Sequence, residues 1–492
     1  MDKIFAPEYF DIIFRFLPTN KDLHSCLLVN KHWATCAVPI LWEAPFKSKD
    51  KHIKFFKVIK IYLAFIPDST FLRLGYKRRI RLSIARPLLF NYPSFLKELS
   101  YDQFINSAIE NKCNKDIIIE LFKMFIMHEV RLRRLDVHSR LKYDTNDPKN
   151  LKSLVLTHFL CTSIFNKLTY FNCSYKWIEQ NIQLFNAIAE NCHNIENLKA
   201  SIYSENEGIA LAALIRSQKH LKKFSLIGSN FASFPVKVLL DPEHSLKSVT
   251  FKAIVFSYTT CQLNSRAINV LAQCTKIDKL KFKSCDVLNS YVLDTAFSNL
   301  TSFEYSYDAF NIIKNMPLIK LLSDLIMKSC NTLKRIKLDW YTNFHFNLIN
   351  FVEINKFHHD ITQLVEIITH NVINLEYLTI PLYSLEQLIQ IHRTNTPLRR
   401  LEIYLDRKIN LYSALSLFAN SPLKSPKYSI QLSFDCIEVF TIQLLDQFFE
   451  SIFYKSNRIV DVVLHLSKNS CFSIERKELL LKNYPRLKIT AA

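Results

Sequence analysis

The sequence predicts an α/β protein: a small three-helix unit at the N-terminus, then an irregular solenoid with parallel strands inside and helices outside. Three observations predict it. A hexad of apolar, two other, apolar, one other and apolar residues occurs twelve times between Leu96 and Ile403. Stretches of helical period precede many of these hexads, as in Leu322, Ile326 and Cys330 or Leu364, Ile368 and Val372. Residues 1–45 lack the hexad and carry helix caps and breakers instead.

Pro7 and Glu8 suit a first helical turn, where a missing N–H costs nothing and an acidic group meets the positive end of the helix dipole. Pro18 stops that helix. Thr19 or Asn20 is placed to cap a second, with Asp22 in its first turn, running to about Asn30. A third passes through Trp33 towards Trp42, with Pro39 near its end. In the first helix Tyr9, Phe10, Ile12, Ile13, Phe14, Phe16 and Leu17 point in every direction, as in a helix buried on both sides. A unit of this size cannot cover both sides itself, so another wall is expected.

Residues 46–78 are expected to be a helical connector, with a helix within Asp50–Phe65, and 79–492 the solenoid, with an extra strand at Arg78–Ile84. No Ser, Gly or Pro-rich run separates these parts, so the junction is expected to be close-packed. The hexads open at Leu96, Leu132, Leu151, Leu168, Ile195, Leu221, Leu246, Ile277, Leu300, Leu333, Leu375 and Leu398, at intervals of 17 to 42 residues. A helix followed by a strand, repeated, stacks into an arc of parallel strands, and uneven intervals make it irregular.

Composition narrows function. Only 3 glycines occur in 492 residues, all isolated, so no phosphate-cradling loop, dinucleotide fingerprint or nucleophile elbow can be written. The 12 cysteines form no CxxC pair and read as reduced; Cys192, Cys274 and Cys330, each three residues before a hexad, are expected to pack at helix ends. The N-terminal segment has Asp2, Glu8, Asp11 and Arg15 among its apolar residues, unlike a signal peptide, and no apolar run approaches the roughly 18 residues of a membrane span. A cytoplasmic or nuclear protein without membrane contact is expected. The net charge of +20 fits either acidic partners or a general taste for lysine. No paired carboxylates, nucleophile constellation or metal cluster stands out, so no catalytic residue, metal or cofactor is expected.

The N-terminal residues resemble an F-box. The pattern is carried by Pro7-Glu8, Leu17, Pro18, Asp22-Leu23, Leu27-Leu28-Val29, Trp33, Pro39 and Leu41-Trp42, with Ala6 where the family usually has Leu. The remainder is similar to the degenerate leucine-rich repeats of large fungal F-box families. The resemblance implies a substrate receptor of a Skp-cullin-F-box ubiquitin ligase, docking on a Skp-type adaptor and, through it, a cullin. The alternative is an interaction scaffold outside any ligase. The implied adaptor surface is Pro7, Glu8, Tyr9, Ile12, Ile13, Phe16, Leu17, Leu23, Leu27, Val29, Trp33, Leu41 and Trp42. Trp33 and Trp42 are either its aromatic anchors or plugs closing the unit against the next helix.

Within each hexad the third and fifth residues are expected to face the concave side. They include Arg134, Lys199, Lys223, Lys279, Lys281, Arg335, Lys337 and Arg400, with Asp136, Glu304 and Glu402 as the acidic minority. This face is expected to hold a target protein, through an acidic or phosphorylated segment; it reads equally as a solvated sheet face. Nucleic acid is a less expected partner. Asn343–Asp360, with His345, His358 and His359, is expected to be an insertion loop with surface histidines and no metal.

Overall fold

The computed structural model describes residues 7–17, 19–47, 55–75, 88–137, 163–174, 178–228, 246–252, 261–264, 271–283, 285–288, 297–306, 316–339, 351–393, 397–405, 409, 413–414, 417, 428–434, 449–450, 459–466 and 474–491. The hexad at Leu151 and the expected strand at Arg78–Ile84 lie outside them. The chain divides into two compact units, Met1–Ile227 with Asp241–Ser245, and Gly228–Leu240 with Leu246–Ala492.

The first unit opens with α1 (Pro7–Arg15), α2 (Asn20–Leu27) and α3 (Lys31–Leu41), then α4 (Phe56–Leu63) and α5 (Asp68–Arg73). Next come β1 (Glu98–Ser100), α6 (Tyr101–Glu110), α7 (Lys115–Met127), β2 (Arg134–Val137), β3 (Tyr170–Cys173), α8 (Ile178–Asn191), β4 (Asn197–Ser201), α9 (Glu205–Arg216) and β5 (Lys223–Ile227). The five strands pair in chain order, all parallel.

The second unit holds β6 (Ser248–Lys252), β7 (Cys261–Asn264), β8 (Lys279–Lys283), β9 (Cys285–Leu288), β10 (Ser302–Ser306), α10 (Met316–Lys328), β11 (Arg335–Asp339) and α11 (Phe351–Asn371). It continues with β12 (Tyr377–Leu382), α12 (Leu385–Arg393), β13 (Arg400–Leu405), β14 (Tyr428–Phe434), β15 (Ile459–Leu466), α13 (Ile474–Asn483) and β16 (Leu487–Ala491). Its main sheet runs β6-β8-β10-β11-β12-β13-β14-β15-β16, all parallel, while β7 and β9 make a separate parallel pair.

Parallel neighbours need crossovers, and crossovers of one hand between successive strands put every connection on the same side. The described helices between strands therefore cover one face of each sheet. The hexads explain the burial. Their fourth residues form an in-register apolar ladder, Leu99–Leu135–Phe171–Leu198–Phe224 in one unit and Val249–Leu280–Phe303–Ile336–Leu378–Leu401 in the other, all buried. Each such side chain contributes roughly 1.5–3 kcal/mol over leaving it in water.

A second ladder runs along the backbone. In nine of the described hexads the carbonyl of the second residue accepts two N–H groups from the next hexad's strand, as in Lys97 from Arg133 and Arg134 (2.8 and 3.1 Å), Thr301 from Lys334 and Arg335 (2.9 and 3.0 Å), and Glu376 from Arg399 and Arg400 (2.7 and 3.1 Å). Glu43 starts it, its carbonyl accepting from Lys97 and Glu98 at 2.9 Å each. The helical unit thus supplies the first step of this backbone ladder in the first unit.

The starts of α9 and α12 share one device. Glu207 accepts from the Tyr203 and Ser204 N–H groups (2.6 and 3.0 Å) and from Asn181 Nδ2 (2.8 Å). Gln387 accepts from the Tyr383 and Ser384 N–H groups (2.8 and 3.3 Å) and donates to Thr362 Oγ1 at 2.9 Å. Both buried side chains satisfy helix-start donors and tie their helix to the preceding one.

One expectation is corrected, and two strands are additional to it. Phe351–Asp360 belongs to the 21-residue helix α11, not to a loop; no Gly or Pro interrupts this stretch, and helical spacing from Ile361 onwards carries the helix back through it. The additional elements are the short strands β7 and β9, which stand in the crossovers around β8, where Leu271 and Ala272 are helical just ahead of the strand.

Candidate functional site

The three N-terminal helices are set by local chemistry. Thr19 and Asp22 form a reciprocal cap on α2, with Asp22 N–H donating to Thr19 Oγ1 at 3.2 Å and Thr19 N–H to Asp22 Oδ2 at 3.1 Å. Asn30 Oδ1 caps α3 by accepting from Trp33 N–H at 2.8 Å. Their shared core is Phe10, Phe14, Leu23, Cys26 and Ala37, with Leu17, Leu27, Trp33 and Leu41 packed against it and partly buried. The Trp33 ring lies 5.4 Å from both Phe10 and Phe14.

The other side of α1 is open. Tyr9, Ile12 and Ile13 are each more than half exposed and Phe16, in the turn after the helix, is 84% exposed. Their spacing of i, i+3, i+4 and i+7 puts all four on one face. Glu8 is exposed. At the end of α2, Val29 is more than half exposed and Leu28 is 88% exposed. Leu28 was not among the residues predicted for this surface; its place at the end of a capped helix was the signal available.

Two predicted surface residues lie elsewhere. Leu23, 5% exposed, is core, because α2 turns it towards α1 and α3. Trp42 closes the three-helix unit against the connector, its ring 4.4 Å from Tyr92 and 5.5 Å from the buried Tyr62. Phe46 packs at 5.4 Å on Phe104, and Glu43 meets Arg15 at 3.0 Å and Lys97 at 3.6 Å. The junction is therefore close-packed within the first unit.

The uncovered sheet faces carry the predicted cations. Arg134 lies 3.5 Å above the Tyr170 ring and 3.7 Å from Asp136, which accepts from Asn172 Nδ2 at 2.8 Å. Lys199 is half-buried and Lys223 exposed. In the second unit Lys281 and Lys283 grip Glu304 at 2.6 and 3.2 Å. Burial opposes ionisation of Glu304, but hydrogen bonding and charge from both lysines outweigh it and hold the carboxyl below its ordinary range. Lys337 meets Asp339 at 3.6 Å, and Glu402 accepts from Thr379 Oγ1 at 3.1 Å and Tyr404 OH at 2.8 Å. Lys279, Arg335 and Arg400 are exposed.

The buried thiols are poor nucleophiles. Burial pushes Cys113 up to about 12 and Cys274 up to about 11, and Cys192, whose Sγ lies 3.3 Å from the Leu168 carbonyl, also shifts upward. Among the described residues no three His, Cys, Asp or Glu side chains gather to hold a metal ion, and no helix is long and apolar enough to cross a membrane. His358 stacks on Tyr383 at 5.2 Å, and His359 is exposed. A scan against protein-family models gives no match, and a search of curated proteins gives none either. The fold defines the chain's class as α/β, with parallel sheets flanked by helices and three helices at the start of the first unit.

Proposed function

We propose that the chain is the substrate-recognition subunit of a Skp-cullin-F-box ubiquitin ligase, acting in the cytoplasm or nucleus. The three N-terminal helices are the F-box, docking on a Skp-type adaptor, and the strands beyond them are degenerate leucine-rich repeats that hold a target protein. The reading rests above all on the apolar face of Tyr9, Ile12, Ile13 and Phe16, left uncovered on a helix whose other side is packed. Exposed contiguous apolar surface marks an interaction site, and a helix face of this spacing fits a partner built of helices. The resemblance of residues 7–42 to the F-box names that partner. The solenoid contributes a rigid surface and needs no chemistry of its own.

Affinity purification of the intact chain tests the proposal. A Skp-type adaptor and a cullin are expected together, and both are expected to vanish with an Ile13→Asp, Phe16→Asp variant. Adaptor without cullin would move the chain to the scaffold alternative, and neither would refute the assignment.

A further inference from the structure

On the uncovered face of the second unit several charges are spent within the chain. Lys281 and Lys283 share the Glu304 carboxylate at 2.6 and 3.2 Å, Lys337 meets Asp339 at 3.6 Å, and Arg400 is engaged inside the protein. Among the described residues, Lys279 on β8 and Arg335 on β11 enter no ion pair, and both are exposed. Ser302 of β10 stands in register between them, opposite Lys279 on one side and Arg335 on the other. Ser248 and Tyr377 are the next residues outward in this row, so no acidic group adjoins either cation within it.

The backbone under these three residues is firmly held. The adjoining Leu280, Phe303 and Ile336 are wholly buried, and the N–H groups of Lys279, Ser302 and Arg335 each donate to the preceding hexad at 3.0 Å. With neighbouring strands about 4.8 Å apart, the two cations stem from points about 9.6 Å apart. A group above Ser302 lies half that distance to the side of each, within reach of an extended lysine or arginine side chain and of the serine hydroxyl below it. A phosphoryl group on a side chain carries about −1.5 to −2 charges at pH 7 and three acceptor oxygens, which matches two cations and a hydroxyl donor. A carboxylate brings one charge and two oxygens and leaves a donor unused. Glu304, two residues along the strand from Ser302, is already held by two lysines, whose charge more than offsets its own. Neither Ser248 nor Tyr377 supplies a further cation, so the row suits one anionic group and not the run of phosphates that a nucleic acid presents. In the first unit the corresponding Arg134 is engaged, 3.5 Å above the Tyr170 ring and 3.7 Å from Asp136, whereas Arg335 has only a looser contact with Tyr377 at 5.9 Å.

We infer that Lys279, Ser302 and Arg335 form a seat for one phosphorylated side chain of the target protein. The inference rests on the target-holding role proposed above and names its substrate class.

The test measures retention of two peptide libraries on the immobilised full chain, one with a central phosphoserine and mixed flanking residues, the other identical except for an unmodified serine. The phosphoserine library is expected to be retained about tenfold better and to be released by added salt. Ser302→Asp, which sets a resident carboxylate between the cations, and the double variant Lys279→Ser, Arg335→Ser are each expected to lose about tenfold or more. Lys223→Ser, at an exposed cation of the first unit, is expected to stay within about twofold. Circular dichroism establishes that each variant is folded. Equal retention of the two libraries, undiminished retention by both seat variants, a loss in Lys223→Ser as large as theirs, or tighter binding of an oligothymidylate than of the phosphoserine library would overturn the inference. Phosphoserine preference without adaptor binding would leave the seat standing and remove the ligase reading; adaptor binding without the preference would do the opposite.

Discussion

Helices α1 and α7 are both rich in apolar residues, and they dispose of them in opposite ways. Helix α7 buries Ile117, Ile118, Leu121, Phe122 and Phe125, because the adjoining helices and strands wall it in. Helix α1 buries only Phe10 and Phe14 and leaves Tyr9, Ile12 and Ile13 in the open. The difference teaches that apolar content alone does not place a helix in a core. What decides is whether the chain supplies a second wall, and around α1 the described residues of the first unit supply only one.

That contrast sets an order of effects. Ile336→Ala, in the fourth-position ladder, is expected to cost about 3–5 kcal/mol, since transfer and cavity terms add; a denaturant melt of the full chain measures it. Trp42→Ala is expected to cost about 3 kcal/mol by emptying the contact with Tyr62 and Tyr92, visible in the same melt.

Glu207→Ala should cost about 2 kcal/mol, because two helix-start N–H groups and Asn181 lose their acceptor. Burial, opposed by those hydrogen bonds, raises the Glu207 carboxyl above its ordinary range. Its stabilising contribution is therefore full below the unfolded carboxyl pKa and falls as pH rises through the folded value. Glu207→Gln, the arrangement Gln387 already uses, is expected to flatten that dependence in melts taken from acid to neutral pH.

Glu304 has the opposite sign. Its lowered carboxyl contributes stability above the ordinary range that is lost as pH falls through the folded value, and Glu304→Gln is expected to cost under about 1 kcal/mol at neutral pH because the lysines are partly exposed. Smallest of all is Ile13→Ala, expected within about 0.5 kcal/mol of the parent, since an exposed side chain gives up little on truncation. A large loss there would erase the contrast between α1 and α7.

Much of this was legible in the sequence. The caps at Thr19 and Asn30 and the break at Pro18 marked the three helices, and every described hexad became a strand of the main array. Strand β14 escaped because Lys427 stands where the hexad opens, and β15 because Ile459, Val460, Val462, Val463 and Leu464 form an apolar run that hides the alternation. The surface was harder. Trp42 finds Tyr62 and Tyr92, far away in sequence, and although Lys281 and Glu304 are fifth residues of successive hexads, the hexads do not say that the two would bond. Register between strands separated by loops decides which charges are spent and which remain.

The central claim is that the open face of α1 awaits a foreign polypeptide. Calorimetric titration of the purified full chain with a Skp-type adaptor tests it most directly, using the parent and Phe16→Asp. The account predicts saturable binding by the parent and at least about a tenfold loss in the variant with unchanged unfolding, as removal of an interface anchor requires. No binding by the parent, or equal binding by both, would contradict it.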